Sequence, residues 1–189
     1  MRYCTRCVLP ANYRNIRFDR EGVCNYCRTY ERLAPRLRDF ETLGRLRDER
    51  LAAARARGGD YDCLVGMSGG KDSSWIALEL ARKRGLRVLG FTFDNGFLTD
   101  YARDNIRLLI DQLGIDHFFH EVDWNLHRQF YEQAVRWFGK PCPGCSYSSY
   151  ALSYKLAFER GIPLVVHGRS RSQMFRELLA GSPDAFLPF

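Results

Sequence analysis

A chain of 189 residues with 46% apolar content has room for one α/β domain and a small appendage, and enough apolar side chain to bury a core. No stretch reaches the uninterrupted apolar length of a membrane span, and Met1-Arg2-Tyr3-Cys4 lacks the apolar run of a secretion signal, so a soluble, cytoplasmic protein without membrane contact is expected. The formal charge of +7, from 29 basic against 22 acidic residues, favours anionic partners such as nucleotides, phosphorylated sugars or RNA.

Residues 1–29 are turn-rich and lack hydrophobic periodicity. They carry two Cys-x-x-Cys pairs, Cys4/Cys7 and Cys24/Cys27, separated by the sixteen residues from Val8 to Val23. Four thiols at this spacing suit a tetrahedral metal site. With every position a thiolate the site is closed, which predicts structural Zn²⁺, a redox or iron-bound role being the alternative. So small a segment cannot offset its chain entropy by burial, so metal ligation is the expected source of its order. Residues 30–60 read as a helical linker, with Leu33, Leu37, Leu43, Leu46 and Leu51 among charged residues, interrupted near Pro35 and Gly44 and ended by Gly58-Gly59-Asp60.

From residue 61 to 189 apolar runs alternate with amphipathic segments. Strands are predicted over 62–67, 86–93, 117–122 and 163–167, and helices over 73–84, 99–113, 125–138 and 146–160. This order predicts an α/β fold, a parallel sheet with helices on both faces. The final stretch, 169–189, is short and ends in Pro188-Phe189.

The strand Cys63-Leu64-Val65-Gly66-Met67 runs into Ser68-Gly69-Gly70-Lys71-Asp72-Ser73-Ser74, followed by a helix with Trp75, Ile76, Leu78 and Leu80 at its apolar positions. Strand, glycine turn and helix N-terminus make an anion site: two glycines admit an oxyanion to the backbone, and the free amides of the first turn point at it. Lys71, Ser68 and Ser73 add charge and hydroxyl groups, while the carboxylate of Asp72 calls for a divalent cation such as Mg²⁺ beside the phosphates. Asp72 follows Lys71 where a Walker A loop has Ser or Thr, and the glycines lack dinucleotide-fold spacing.

The loop resembles the PP-loop, Ser-Gly-Gly-x-Asp-Ser, of the ATP pyrophosphatases, and the resemblance extends from Tyr61 to about Arg171. It implies an adenine-nucleotide α-hydrolase-like domain that binds ATP, adenylates a carbonyl and releases pyrophosphate. Met67 to Ser73 would contact the nucleotide, with Lys71 and Asp72 catalytic. At the end of the second strand Phe93 and Asp94, and at the end of the fourth His167 and Gly168, match places that approach the adenosine and AMP; a plain turn is the other reading of Asp94-Asn95-Gly96. Two departures stand out: the family continues well beyond its fourth strand, and it tends to have an acidic or amide residue where this chain has Arg169-Ser170-Arg171. A fragment, a shortened paralogue and half of a dimeric site are the readings of the first departure.

Cys4-Thr5-Arg6-Cys7 with Phe18-Asp19-x-x-Gly22-Val23-Cys24-Asn25-x-Cys27 resembles the start of the N-acetyl sugar amidotransferases of bacterial surface-polysaccharide synthesis. That resemblance implies amido transfer to an acetamido sugar, with ammonia from a separate glutaminase subunit; sulfur transfer to tRNA or a small molecule and a non-catalytic nucleotide-binding protein are the alternatives. A third pair, in Pro141-Cys142-Pro143-Gly144-Cys145, sits between two predicted helices, where the fold would bring it towards the ligand edge of the sheet. Cys142 and Cys145 are similar to a pair in those amidotransferases and to one in tRNA thiolation enzymes, where a third cysteine completes an iron–sulfur cluster. Here the remaining Cys63 lies in a strand and reads as core. A structural turn, a contribution to a metal site, sulfur carriage and catalysis are therefore open for the pair. His117, His120 and His127 read as surface or packing residues, and Trp124, Phe130, Tyr131, Trp137 and Phe138 as a buried helix face. A homo-oligomer is expected.

Overall fold

The computed structural model describes residues 1–13 and 15–169. They fall into two units, Met1–Arg47 with residue 169, and Asp48–Gly168. Ser170, Arg171 and the terminal Pro188-Phe189 lie outside the described residues.

In the first unit two turns face each other through the cysteines. A bridge between Tyr3 and Pro10 closes one and a bridge between Phe18 and Cys24 the other. Asp19 organises the second turn: its carboxylate accepts the amides of Glu21 and Val23, each at 2.9 Å, and pairs with Arg28 at 2.8 Å. The Arg28 guanidinium, ahead of those amides, holds that carboxyl below its ordinary value. Buried apolar surface here amounts to Cys4, Val23 and Cys24 with Ile16, Phe18 and Tyr26 around them, too little for an independent core.

Two helices follow, α1 (Asn25–Arg38) and α2 (Phe40–Ala56). The break falls at Asp39, not near Pro35 or Gly44 as the residue types suggested; Pro35 and Gly44 both lie within helix. Asp39 starts the second helix by accepting the Thr42 amide at 3.0 Å, and a cap of this kind decides the break more firmly than a lone glycine.

The second unit is built on β1 (Cys63–Gly66), β2 (Val88–Asp94), β3 (Asp116–Glu121) and β4 (Val165–Val166), all parallel, in the order β3-β2-β1-β4. Its helices are α3 (Lys71–Leu78), continued by a π-helical turn Glu79–Lys83, then α4 (Asp100–Leu113), α5 (Trp124–Phe138) and α6 (Cys142–Glu159). Both faces of the sheet are covered. Cys63, Val65 and Val88 pack with Leu51 of α2, Ala77 of α3 and Ile106 of α4, whereas Leu64, Leu89 and Phe91 pack with Leu156 and Ala157 of α6. Coverage on both sides is why β1 and most of β2 are continuous apolar runs, while the edge strand β3 alternates in burial. Among the described residues no helix is long and apolar enough to cross a membrane.

Two expectations need correction. The third cysteine pair is not a turn between helices but the first turn of α6, with Pro141 at the cap. Proline and glycine read as breakers, yet a helix leaves its first amides unpaired, so Pro143 loses no bond there. Nor is the aromatic stripe of α5 a buried face: His127, Tyr131 and Ala134 are buried, and Trp124, Phe130, Trp137 and Phe138 are exposed. The covered middle is where His127 meets Phe93 of β2 and Tyr131 meets Phe97.

Asp62, 1% exposed, ties the start of β1 to β2 by accepting the Arg87 amide at 2.8 Å and pairing with its guanidinium. Burial opposes the charge on Asp62, but the bonds from Arg87 outweigh it and hold the carboxyl below its ordinary value. Asp62→Asn is expected to cost about 1–3 kcal/mol in urea unfolding at neutral pH. Because the folded pKa is depressed, this contribution is present above the unfolded value of about 3.9 and is lost as pH falls through the folded one, so the two stability curves converge in acid.

Candidate functional site

The chain runs outward from β1 to β2 and β3 on one side and places β4 on the other, so the order of strands reverses between β1 and β4. Open parallel sheets bind ligands at such a reversal, beyond the carboxyl ends of the strands. Ser68 to Ser73 follows β1 at that point, and His167-Gly168 follows β4.

Gly70 caps α3 in an extended conformation without a side chain to occupy the helix amides. Gly69 has φ +73°, and a Cβ there would lie 2.5 Å from the Ala102 carbonyl oxygen of α4. Loop and α4 are thus in backbone contact, and the Asn105 side-chain amide donates to the Gly69 carbonyl at 3.3 Å. Ser73 is buried; its hydroxyl accepts the Ser68 amide at 3.2 Å and donates to the Gly70 carbonyl at 3.0 Å, which fixes the curve of the loop. From the other side Gly168 comes so near that a Cβ would lie 3.1 Å from the Ser73 nitrogen. The result gathers backbone amides and hydroxyls at a helix N-terminus, a setting that favours an anion.

Lys71 and Asp72 project from this rim, 88% and 66% exposed, with Nζ and Oδ1 2.7 Å apart. A pair so exposed contributes little to stability, so either head can turn to a phosphate or a cation. Behind them Met67 is buried: its amide donates to Phe91, and its carbonyl accepts the Thr92 hydroxyl at 2.8 Å. That leaves His117 Nε2 to donate to Thr92 Oγ1 at 2.9 Å, and burial pushes the His117 pKa down to about 4, so the imidazole is a neutral packing group.

At the end of β2, Asp94 is buried and paired with Arg103 of α4, and its Oδ1 accepts the Gly96 amide at 3.1 Å. Phe93 lies between the rings of His120 and His127, at centroid distances of 6.0 and 5.3 Å. His127 is buried, which with the nearby His120 lowers its pKa. His167 sets its ring edge-to-face with Tyr150 of α6 at 5.0 Å.

Cys142 is exposed and Cys145 half-buried, at the first and fourth positions of α6. The Asn95 side-chain amide donates to Cys145 Sγ at 3.3 Å, which joins the pair to the turn after β2. Tyr131 donates to the Asn95 carbonyl at 3.0 Å, and its own pKa is pushed up to about 12 by burial, then by Cys145 and Asp94. Cys63 is fully buried, its thiol raised to about 12 by burial and by Asp62, and belongs to the core as its strand position implied. Arg103 and Asn105 escaped the sequence reading, and Asn95 and Tyr131 entered it only as part of a turn and of a helix face, because each acts on a residue distant in the chain. No local motif marks them.

The Cys4, Cys7, Cys24 and Cys27 sulfurs all lie within 4.8 Å of one another, and the four can hold a metal ion. Amides of Arg6 and Cys24 donate to Cys4 Sγ at 3.4 and 3.2 Å, and that of Cys27 to Cys24 Sγ at 3.4 Å. Burial pushes the Cys4 thiol up, but the amides of Cys7, Arg6 and Cys24 outweigh it and bring the thiol down to about 6. Burial and the neighbouring sulfurs raise Cys24 and Cys27. Four thiolates this close repel one another unless a cation lies between them, so the donor set fits a soft or borderline metal.

No protein-family model matches the chain. An uncharacterised protein of Methanocaldococcus jannaschii is 26% identical over 144 residues, 76% of this chain and 50% of its own length, so the chain spans about half the curated relative it matches. The glutamine-dependent NAD+ synthetase of Acinetobacter baumannii, solved with adenosine diphosphate, superimposes over 84% of this chain and 30% of its own at a TM-score of 0.49 and 18% identity. The U34-tRNA thiolase of Methanococcus maripaludis, solved with its 4Fe–4S cluster, superimposes over 94% of this chain and 59% of its own at a TM-score of 0.48 and 16% identity.

Proposed function

We propose that residues 61–189 form an ATP pyrophosphatase domain that adenylates a carbonyl or amide oxygen and passes the activated carbon to a nucleophile. The observation that carries this reading is the pairing of a side-chain-free helix cap at Gly70 with the close approach of Gly168, at the point where the strand order reverses. In the proposed reaction the substrate oxygen attacks the α-phosphorus of ATP and pyrophosphate leaves into the loop. The Ser68 hydroxyl and the amides of Gly69, Gly70 and Ser73 would donate to its oxygens while Lys71 offsets charge as it develops. Asp72 would hold Mg²⁺, which supplies further neutralisation of the phosphates. Met67, Phe93, Asp94, His167 and Gly168 would bound the nucleoside, with Gly168 admitting it to the backbone.

The acceptor proposed is an N-acetyl sugar, nucleotide-linked and anionic, receiving ammonia from a partner glutaminase, with Zn²⁺ structural in residues 1–29. A cytoplasmic homo-oligomer is proposed alongside it, the exposed Trp124, Phe130, Trp137 and Phe138 favouring a covered surface. Sulfur transfer to RNA or a small molecule is the second reading, favoured by the bond that places Cys145 beside the β2 turn.

Incubation with ATP, Mg²⁺ and a nucleotide-linked N-acetyl sugar, with ammonium or sulfide in parallel, tests the proposal by phosphorus NMR. AMP and pyrophosphate are expected, in acceptor-dependent amounts, with ammonium; product with sulfide alone would select the second reading. ADP and orthophosphate would contradict both.

A further inference from the structure

The ATP reading leaves the chemistry of Cys142 and Cys145 unassigned. We propose that the two thiols are a redox-active dithiol that exchanges with small-molecule disulfides, Cys142 attacking and Cys145 resolving. The inference goes beyond the proposed function and needs no nucleotide.

The two cysteines differ in the way such a pair requires. Cys142 is exposed at the first position of α6, open to an incoming disulfide, and the first turn carries no acidic residue beside it. Cys145 is half-buried one turn deeper, with Asn95 donating to its sulfur. Residues three apart on a helix bring their Cβ atoms to about 5–6 Å, against about 3.5–4.5 Å in a disulfide. Tightening the first turn towards 3₁₀ geometry closes that gap, since side chains three apart then eclipse. The turn that must tighten is the terminal one, and Pro143 within it has no backbone N–H and so no hydrogen bond to break. Cluster ligation wants at least a third ligand. Among the described residues, Cys4, Cys7, Cys24 and Cys27 are the one group of three or more metal-ligating side chains close enough to share an ion.

In the exchange the Cys142 thiolate attacks a disulfide RSSR, forming a mixed disulfide and releasing one RS⁻. The Cys145 thiolate then attacks Cys142 Sγ, forming the intrachain disulfide and releasing the second RS⁻. The pair loses two electrons and two protons, and RSSR leaves as two RSH. Closure also removes the thiol that accepts the Asn95 amide, so oxidation registers in the turn after β2.

The test is to equilibrate the full chain in glutathione buffers of graded redox ratio, quench by alkylation and map peptides by mass. Trypsin yields 137–155, which contains Cys142 and Cys145 and no other cysteine. The expected result is one two-electron transition between a doubly alkylated peptide and an unlabelled peptide two hydrogens lighter than the free dithiol. Cys145→Ser should accumulate a glutathione adduct at Cys142, at least about tenfold more than Cys142→Ser accumulates at Cys145, as the exposure of the two thiols requires. Asn95→Ala, which removes a bond to the reduced form, should shift the midpoint about threefold towards the disulfide. Alkylation of both thiols at every ratio, equal trapping by the two variants, or iron bound to the pair after anaerobic purification would overturn the proposal.

Discussion

Removing the metal from Cys4, Cys7, Cys24 and Cys27 with a strong chelator at neutral pH is expected to unfold residues 1–29 while the four-stranded sheet persists. The apolar cluster beside those sulfurs is Val23 with Ile16, Phe18 and Tyr26, far short of what ordering a segment of that length costs. Structural zinc in comparable small modules contributes about 10–16 kcal/mol, so ligation dominates every other term there. The sheet has its own cores on both faces, made by Val65, Val88 and Ile106 on one side and Leu64, Phe91 and Leu156 on the other. Limited proteolysis should therefore show cleavage within 1–29 after chelation, protection of 61–159, and restoration by zinc. Cys24→Ser should mimic the chelator, because Cys24 is fully buried and its sulfur both caps α1 and faces Cys7 at 3.6 Å.

Gly69→Ala is expected to weaken ATP binding on the order of 100-fold, and Gly58→Ala to leave it unchanged. The two glycines have nearly the same φ, +73° and +72°, so the backbone strain of a Cβ is common to both, about 1–2 kcal/mol. Their surroundings differ. Nothing lies within 4 Å of a Cβ at Gly58, whereas at Gly69 it would sit 2.5 Å from the Ala102 carbonyl oxygen and 2.8 Å from its Cα. Both atoms are backbone and cannot rotate away, so the loop or α4 must shift, and the amides proposed to hold the phosphates shift with them. Calorimetric titration of both variants with ATP and Mg²⁺ separates the two effects.

Much of this arrangement is legible in the sequence because the glycine loop is local: strand, glycines and helix start are contiguous from Cys63 to Ser74. The four N-terminal cysteines are legible for the same reason, since two short spacings suffice. What sequence hid is of two kinds. Residues read as breakers lie inside helices, because a cap at Asp39 decided one break and because Pro143 and Gly144 fall in a first turn whose amides need no partner. Contacts between distant residues were invisible: Asn95 meets Cys145 across fifty positions, and Asp94, read as a nucleotide contact or a turn, has its carboxylate engaged by Arg103 as well as by Gly96. The burial of His127 in the middle of the α5 stripe, in place of its tryptophans, comes with its ring contact to Phe93 of β2, a residue more than thirty positions away.

Exchange of labelled pyrophosphate into ATP, with acceptor present and ammonia absent, tests most directly whether the loop from Ser68 to Ser73 supports cleavage between the α and β phosphates. The account predicts exchange by the native chain and a loss of roughly 10²–10³-fold in Asp72→Ala, the size expected when one preorganised transition-state contact is removed. Asp72 is 66% exposed and its pair with Lys71 contributes little to the fold, so the variant should unfold as the native chain does. Exchange by Asp72→Ala at the native rate would contradict the account.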